Sequence, residues 1–344
     1  MLRRSFVALS ATALSSAAAT PVTPGVRLGV DLFSVRSQGW DAFQYLDYCA
    51  KLNAKVVHFS EIRFLGGLED DHMRKVRERA QQHGIDLEIG MRSICETSKY
   101  FDPKQGSAVD QLSRVIRAAN IAGSRLVRCF LGMADDRRGP IPLEQHIENT
   151  VKTLRAVRSR AQDAGLKIAV ENHAGDMQAR ELKMLIEEAG KDVVGACIDS
   201  GNPVWAIEDP HLTLEVLAPY ILTSHVRDSR LWMTPEGIAV QWTRMGEGNI
   251  DISTWVNKYR EICPGKALSM EIIVTGPRIY PWRDPKFWDA FRKTPAWEFA
   301  RFLALAEQGT APPASTPVPK ELAKERERED LEVSIEFTRK LLAA

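Results

Sequence analysis

Lys167-Ile168-Ala169-Val170-Glu171-Asn172-His173 is a short apolar run that closes on a carboxylate, an amide and an imidazole. Three later runs close in the same manner: GACID on Asp199, ILTSH on His225 and ALSME on Glu271. Each begins in small and β-branched residues, as a buried strand does, and finishes on a hard oxygen or nitrogen donor. A strand–helix unit of a parallel barrel takes about 25–40 residues. Glu171, Asp199 and His225 follow one another at about that interval, and the step to Glu271 is longer because the connection before it is extended.

The same alternation runs upstream. From Val26, the runs RLGVDLF, AKVVHFSE, DLEIGM and RLVRCFLG are separated by segments of helical spacing at 41–52, 70–83, 108–122 and 143–164. With the four donor-tipped runs, strand ends are expected near residues 32, 59, 90, 130, 171, 199, 226 and 273. Strands that alternate with helices imply βαβ units and a parallel sheet. Eight of them is the number that closes a barrel, so the expected fold is a (β/α)8 TIM barrel over 26–308 with a C-terminal helical extension. An open doubly wound sheet is the alternative. No G-x-G-x-x-G stands between the first strand and helix, so its dinucleotide-binding form has no support.

With 344 residues, 44% of them hydrophobic and 26% charged, the chain can bury a large core. Its net charge of +1 comes without a basic stripe, so no nucleic-acid partner is expected. No apolar run reaches the ~20 residues that span a bilayer, so no membrane span is expected. The five cysteines are scattered, odd in number and free of C-x-x-C pairs, which reads as structural thiols in an apolar setting.

The ends carry separate signals. Residues 1–20 join Arg3-Arg4-Ser5-Phe6-Val7 to an Ala/Ser-rich stretch and an Ala17-x-Ala19 step. They read as a twin-arginine-like signal peptide, with a periplasmic or other extracytoplasmic location expected by folded export. Leu2 stands where Ser or Thr is usual, and no Lys follows. Residues 309–319 (GTAPPASTPVP) form a Pro-rich linker that cannot be helical. Residues 320–344 read as a charged helix with Leu331, Ile335, Thr338 and Leu342 on one face, and Val333, Phe337 and Leu341 beside it. That face must bury against the barrel or against another chain, so a homo-oligomer through this helix is one expectation.

Two connections are long. Residues 228–249 hold Arg230, Trp232, Trp242 and Arg244, and residues 275–297 hold Tyr280, Trp282, Phe287, Trp288, Phe291 and Trp297. Long loops in compact domains are usually functional. An aromatic satellite core covering one barrel end is the equal alternative.

Carboxylates and an imidazole without a thiolate suit one divalent metal ion: Mn²⁺, Mg²⁺, Co²⁺ or Zn²⁺. Glu171, Asp199, His225 and Glu271 are its expected ligands, at the C-terminal rim where barrel enzymes keep their sites. A single Glu or His at a strand end is ordinarily a surface or capping group; four in register are a site. His173 lies two residues beyond Glu171, so an extended chain points it to the same face, toward substrate or into a helix cap. Asn202 could bond substrate or cap its own turn. Arg227 shares a face with His225 and could hold a hydroxyl or carboxylate. Glu247 sits in a Gly-Glu-Gly turn near the rim, and Asp228 reads as support. His58 closes the second strand, where it lines the opposite wall or caps the surface.

The segments VENH, CIDSGNP, HVRDSR, MGEGNID and SMEI resemble the xylose isomerase-like TIM barrel family, the sugar phosphate isomerase/epimerase group that includes D-tagatose 3-epimerase and inosose dehydratase. The resemblance spans about Gly29 to Ile273 and is most specific from Ile168 onward. It implies a divalent ion held by Glu171, Asp199, His225 and Glu271. It also implies that Glu171 and Glu271 act as an acid/base pair on opposite faces of a bound ketose. The epimerases place a His three residues after the sixth-strand Asp, where this chain has Asn202; that leaves the ligands in place and the substrate open. An exported member would meet glycosides or oxidised sugars, and no basic phosphate cradle is evident. The expected partner is therefore a small-molecule carbohydrate. A metal-dependent isomerase or epimerase is the first expectation. A lyase or hydratase on a keto-sugar or 3-keto-glycoside is the second, and a non-catalytic sugar-binding barrel the third. The endonuclease IV branch needs three zinc ions with more histidines and a basic groove, and neither is visible.

Overall fold

The structure, a computed structural model, describes residues 25–313 and 319–343. The export-signal reading of residues 1–20 and residues 314–318 of the expected linker lie outside them.

Eight parallel strands close into a barrel: β1 (Arg27–Asp31), β2 (Val56–Phe59), β3 (Asp86–Ser93), β4 (Leu126–Phe130), β5 (Lys167–Glu171), β6 (Val194–Asp199), β7 (Ile221–Val226) and β10 (Ala267–Met270). The order β1-β10-β7-β6-β5-β4-β3-β2 returns the last barrel strand to the first. The expected (β/α)8 barrel is therefore the fold, and the expected strand ends fall within three residues of the observed ones. The last strand stops short because the ladder gives out at its end. Past Met270 the chain turns to Ser34, whose hydroxyl accepts the Ile272 amide at 2.9 Å.

Between β7 and β10 the chain makes β8 (Asp228–Thr234) and β9 (Gly237–Thr243), and after β10 it adds β11 (Arg278–Tyr280). These form a separate antiparallel sheet in the order β11-β9-β8. The first long connection is thus mainly a pair of strands, to which the second adds three residues, and together they set an aromatic face over the barrel rim. The Trp242 indole donates to the Gly201 carbonyl at 2.8 Å, and the Tyr280 hydroxyl to the Trp205 carbonyl at 3.0 Å.

Local signals set the helices. Ala42–Lys51 begins with a reciprocal Asp41–Gln44 capping box. Ala108–Ala122 opens on the Ser107 hydroxyl and ends at Gly123, whose φ of 75° suits a residue without a Cβ. The expected helix at 143–164 divides into Leu143–Ala156 and Arg158–Asp163. Outward strand residues such as Val30, Val57, Ile89, Ile168 and Ile198 are buried under helix residues such as Leu46, Leu112, Leu154 and Leu182. Full burial of one such side chain is worth about 1.5–3 kcal/mol. All five cysteines are buried and unpaired, as small apolar residues are.

The inner face differs. Interiors of such barrels are dominated by Val, Ile and Leu. Here Asp31, His58, Glu88, Arg128, Glu171, Asp199, Thr223 and His225 are buried inside. Buried charge is costly unless paired and hydrogen-bonded, so this interior must be a connected polar network.

The C-terminal helix, Ala323–Ala343, packs on this same barrel. Leu331 and Ile335 are 0% and 1% exposed, and Val333 is 43% exposed on the outer side. Glu327 accepts from the Ser37 amide and hydroxyl at 2.9 and 2.8 Å, and Asp330 accepts from Arg244 at 2.6 Å. The Ser334 hydroxyl accepts the Met245 amide at 3.2 Å. The apolar face that the sequence left open to a second subunit is covered by the chain's own rim.

Candidate metal centre

Register brings the donors together. Asp199 lies beside His225 in the β6–β7 ladder, and His225 beside Ser269 in the β7–β10 ladder. Glu171 lies beside Cys197, two residues before Asp199. A period of two puts Glu171, Asp199 and His225 on the inner face. Glu271 follows the last ladder residue, with its amide donating to the Val226 carbonyl at 3.1 Å. Each of Glu171, Asp199, His225 and Glu271 offers an atom within 4.8 Å of the others.

Nδ1 of His225 lies 3.1 Å from Oε2 of Glu171 and 3.1 Å from Oε2 of Glu271. It is buried and makes no hydrogen bond among the described residues. A bare imidazole nitrogen facing carboxylate oxygens is a ligand set for a cation, and three carboxylates with one imidazole fit the divalent ions named above. Glu171, Asp199 and His225 are completely buried, whereas Glu271 keeps 5% exposure and is the donor nearest to solvent.

Two guanidinium groups balance these carboxylates. Arg128 pairs with Oε2 of Glu171 and donates to the Met91 carbonyl at 3.3 Å. One Arg227 nitrogen bridges Asp199 and Glu271. Although burial opposes it, Arg128 and then His225 hold the Glu171 carboxyl well below the usual carboxylate range. Burial is likewise outweighed at Glu271, where Arg227 and His225 bring the carboxyl down to about 2. At Asp199 burial prevails over Arg227 and pushes the carboxyl up to about 7.

Arg227 is held from behind by a stack. Its guanidinium lies 4.3 Å over the Trp242 ring, Trp242 stacks on Trp205 at 3.7 Å, and Arg278 covers Trp205 at 3.7 Å. The stack runs from β11 through β9 to the cluster, so the covering sheet and the ligand carboxylates share one column. Gly201 leaves the room this needs: a Cβ there would overlap the Arg227 side chain.

The other expected site residues divide. Asn202 donates to Oε1 of Glu171 at 3.0 Å, joining the cluster from the turn after β6. Half-buried His173 stacks on Phe130 at 3.8 Å and its Nδ1 meets the Gly132 carbonyl at 2.8 Å. That leaves its Nε2 as the ring's free nitrogen. Asp228 accepts from the Gly246 and Gly248 amides at 3.0 and 2.9 Å, so it builds the Gly-Glu-Gly turn. Glu247 is exposed on that turn and does not join the cluster. His58 requires a correction. It neither caps the surface nor forms an open wall: it is fully buried, with Nδ1 2.8 Å from Nε2 of His225. Burial, followed by the neighbouring His225, pushes it well below the usual histidine value.

Asp31, Glu88 and Arg128 are interior residues that the sequence reading passed over. Their signals were present: RLGVD closes on a carboxylate as the four donor runs do, and LVRCF and LEIG each carry a charge inside an apolar strand. A charge in that place must have a buried partner.

A cleft of about 980 Å³ opens at the same rim, lined by Arg36, Arg230, Trp232, Glu247, Ile272 and Ile273 among others. The four clustered donors do not line it, but the residue after Glu271 does.

The family model described as xylose isomerase-like TIM barrel matches residues 46–288. A curated relative, the 3-oxo-isoapionate decarboxylase of Pectobacterium atrosepticum, is 24% identical over 183 residues, 53% of this chain; the match spans 59% of the relative. Among solved structures, D-psicose 3-epimerase of Clostridium cellulolyticum with D-tagatose has a TM-score of 0.61 at 14% identity, covering 92% of this chain and 99% of that one. The 3-keto-D-glucoside 4-epimerase of E. coli has a TM-score of 0.54 at 12% identity, covering 81% of this chain and 98% of that one. At these identities the structural likenesses carry the fold alone. Among the described residues, no helix is long and apolar enough to cross a membrane.

Proposed function

Since the chain belongs to the xylose isomerase-like TIM barrel family, we propose that it is a divalent-metal-dependent enzyme acting on an oxo sugar at the carbon beside the carbonyl, as an isomerase or epimerase. The convergence of Glu171, Asp199, His225 and Glu271 carries this reading. A bound ion supplies Lewis-acid polarisation of the carbonyl oxygen, worth several kcal/mol. The protein does the rest. Glu171 and Glu271 converge on the same nitrogen of His225, and in this reading they stand on opposite faces of the bound sugar. One takes the proton from the first face and the other returns it to the opposite face. Asn202 and Arg227 hold these carboxylates in place, and His173 offers its free nitrogen to a sugar hydroxyl.

One observation favours a second reading, a lyase-type reaction. Arg128 pairs with Glu171 inside the barrel. A carboxylate neutralised by a buried guanidinium is a weak base. Arg227 pairs with Glu271 in the same way, so neither carboxylate is freely basic, and loss of CO₂, which needs no base at a C–H, suits the site better than a two-sided proton transfer. The curated decarboxylase relative agrees with that chemistry.

Incubating Mn²⁺-loaded protein with ketoses, 3-keto-glycosides and 3-oxo sugar acids, with products read by mass, tests both. A product of equal mass supports epimerisation or isomerisation. Loss of water, an aglycone or CO₂ supports the lyase. Protein that takes up no divalent ion and turns over none of these would overturn the enzyme reading.

A further inference from the structure

His225 has a second ring nitrogen to satisfy. Its Nε2 lies 2.8 Å from Nδ1 of His58, and both rings are wholly buried. A contact this short between two ring nitrogens contains one proton. If His58 donated it, a neutral His225 would carry its own proton on Nδ1, the nitrogen that faces Glu171 and Glu271. If His225 donates it, Nδ1 offers a lone pair to the point where the carboxylates converge.

Three observations favour the second arrangement. Nδ1 of His225 forms no hydrogen bond despite lying 3.1 Å from each glutamate oxygen. Oδ2 of Asp31 lies 3.2 Å from Nε2 of His225, buried and without a hydrogen-bond partner, so a further acceptor faces the same nitrogen. Asp31 is itself fixed, because its Oδ1 accepts from the Phe33 amide at 2.7 Å and the Ser60 hydroxyl at 2.9 Å. Glu88 competes for Nδ1 of His58, but from 3.5 Å, and it already accepts from the Thr223 hydroxyl at 2.6 Å.

We propose that His58, with Asp31 beside it on the same nitrogen, is a positioning residue that accepts the Nε2 proton of His225 and so turns Nδ1 toward the ion as a lone pair. Ligating histidines usually give their other N–H to a carboxylate or a carbonyl; here a neutral imidazole takes that part. The inference rests on reading the cluster as an ion site.

Titrating Mn²⁺ alone into the full chain by calorimetry tests it. An Asn Oδ1 falls close to the former His Nδ1 and can accept, whereas Phe fills the volume without accepting. Because outer partners of a ligand are typically worth 10–100-fold in metal affinity, His58→Phe should bind Mn²⁺ weaker by about that factor and His58→Asn within about threefold of wild type. His58→Gln extends past the accepting point and should bind as weakly as Phe, which keeps the question open to measurement if His58→Phe does not fold. Thermal unfolding without added metal separates lost packing from lost affinity. The proposal is overturned if Phe or Gln binds Mn²⁺ as tightly as wild type, or if Asn binds as weakly as they do. Wild-type protein that takes up no Mn²⁺ would instead remove the ion reading beneath it.

Discussion

Arg128 and Glu171 form an ion pair inside the barrel, with side chains 3% and 0% exposed. Such a pair is asymmetric. Desolvation offsets much of its attraction, yet removing one partner strands the other, at a cost of about 3–5 kcal/mol. Arg128→Met should therefore lower stability by about that amount in urea melts, and Glu171→Gln added to it should restore most of the loss. Equal stability for the single and double variants would show that the pair is not the source.

Ion binding should be visible in unfolding without any substrate. A ligand that binds only the folded state at a hundred times its Kd stabilises by about 2.7 kcal/mol. Mn²⁺ should raise the Tm of wild type, EDTA should reverse the rise, and Asp199→Asn should abolish it. A Tm that ignores Mn²⁺ in wild type would contradict the cluster's proposed role.

Glu208 supplies a pH-dependent term away from the centre. Both its oxygens accept the Ala179 amide at 3.1 Å, the Thr213 hydroxyl donates to it at 2.5 Å, and burial pushes its carboxyl from 4.5 up to about 7. The folded protein keeps this proton to about pH 7, whereas the unfolded chain releases it near 4.5. Its stabilising contribution is complete below the lower value and is lost as pH rises through the higher one. Relative to Glu208→Gln, wild type should lose about 3 kcal/mol between about pH 4.5 and pH 8. A constant difference across that range would show that Glu208 does not titrate this way.

The C-terminal helix offers an internal contrast. Leu331 is sealed against the barrel and Val333 faces water. Leu331→Ala should cost about 2–5 kcal/mol, and Val333→Ala at most about 0.5 kcal/mol. Similar losses at both positions, measured by chemical denaturation, would mean that the helix does not pack by this face.

The barrel was legible because apolar, β-branched runs alternate with segments of helical spacing, and several of those runs stop on Asp, Glu or His. The four ligand candidates were legible for the same reason. The covering sheet was not, because β8 and β9 read as a long polar and aromatic connection rather than a strand pair. His58 was misplaced because a histidine at a strand end does not announce whether its ring meets solvent or a second histidine. Arg128 was overlooked because its partner lies on the next strand: the β4–β5 register sets Arg128 beside Ala169, two residues before Glu171 on the same inner face.

The Ser37–Glu327 contact joins residues 290 positions apart. The ribosome releases the chain from its N-terminal end at about 5–20 residues per second. The loop after β1 is therefore exposed for much of translation before the helix that fastens it exists. Closure of β1 on β10 and docking of the helix come last, and such distant contacts form slowly. The rim that carries the candidate site cannot be complete until the last part of the chain has been made, so a cation held there would be held by the finished fold rather than by its early parts.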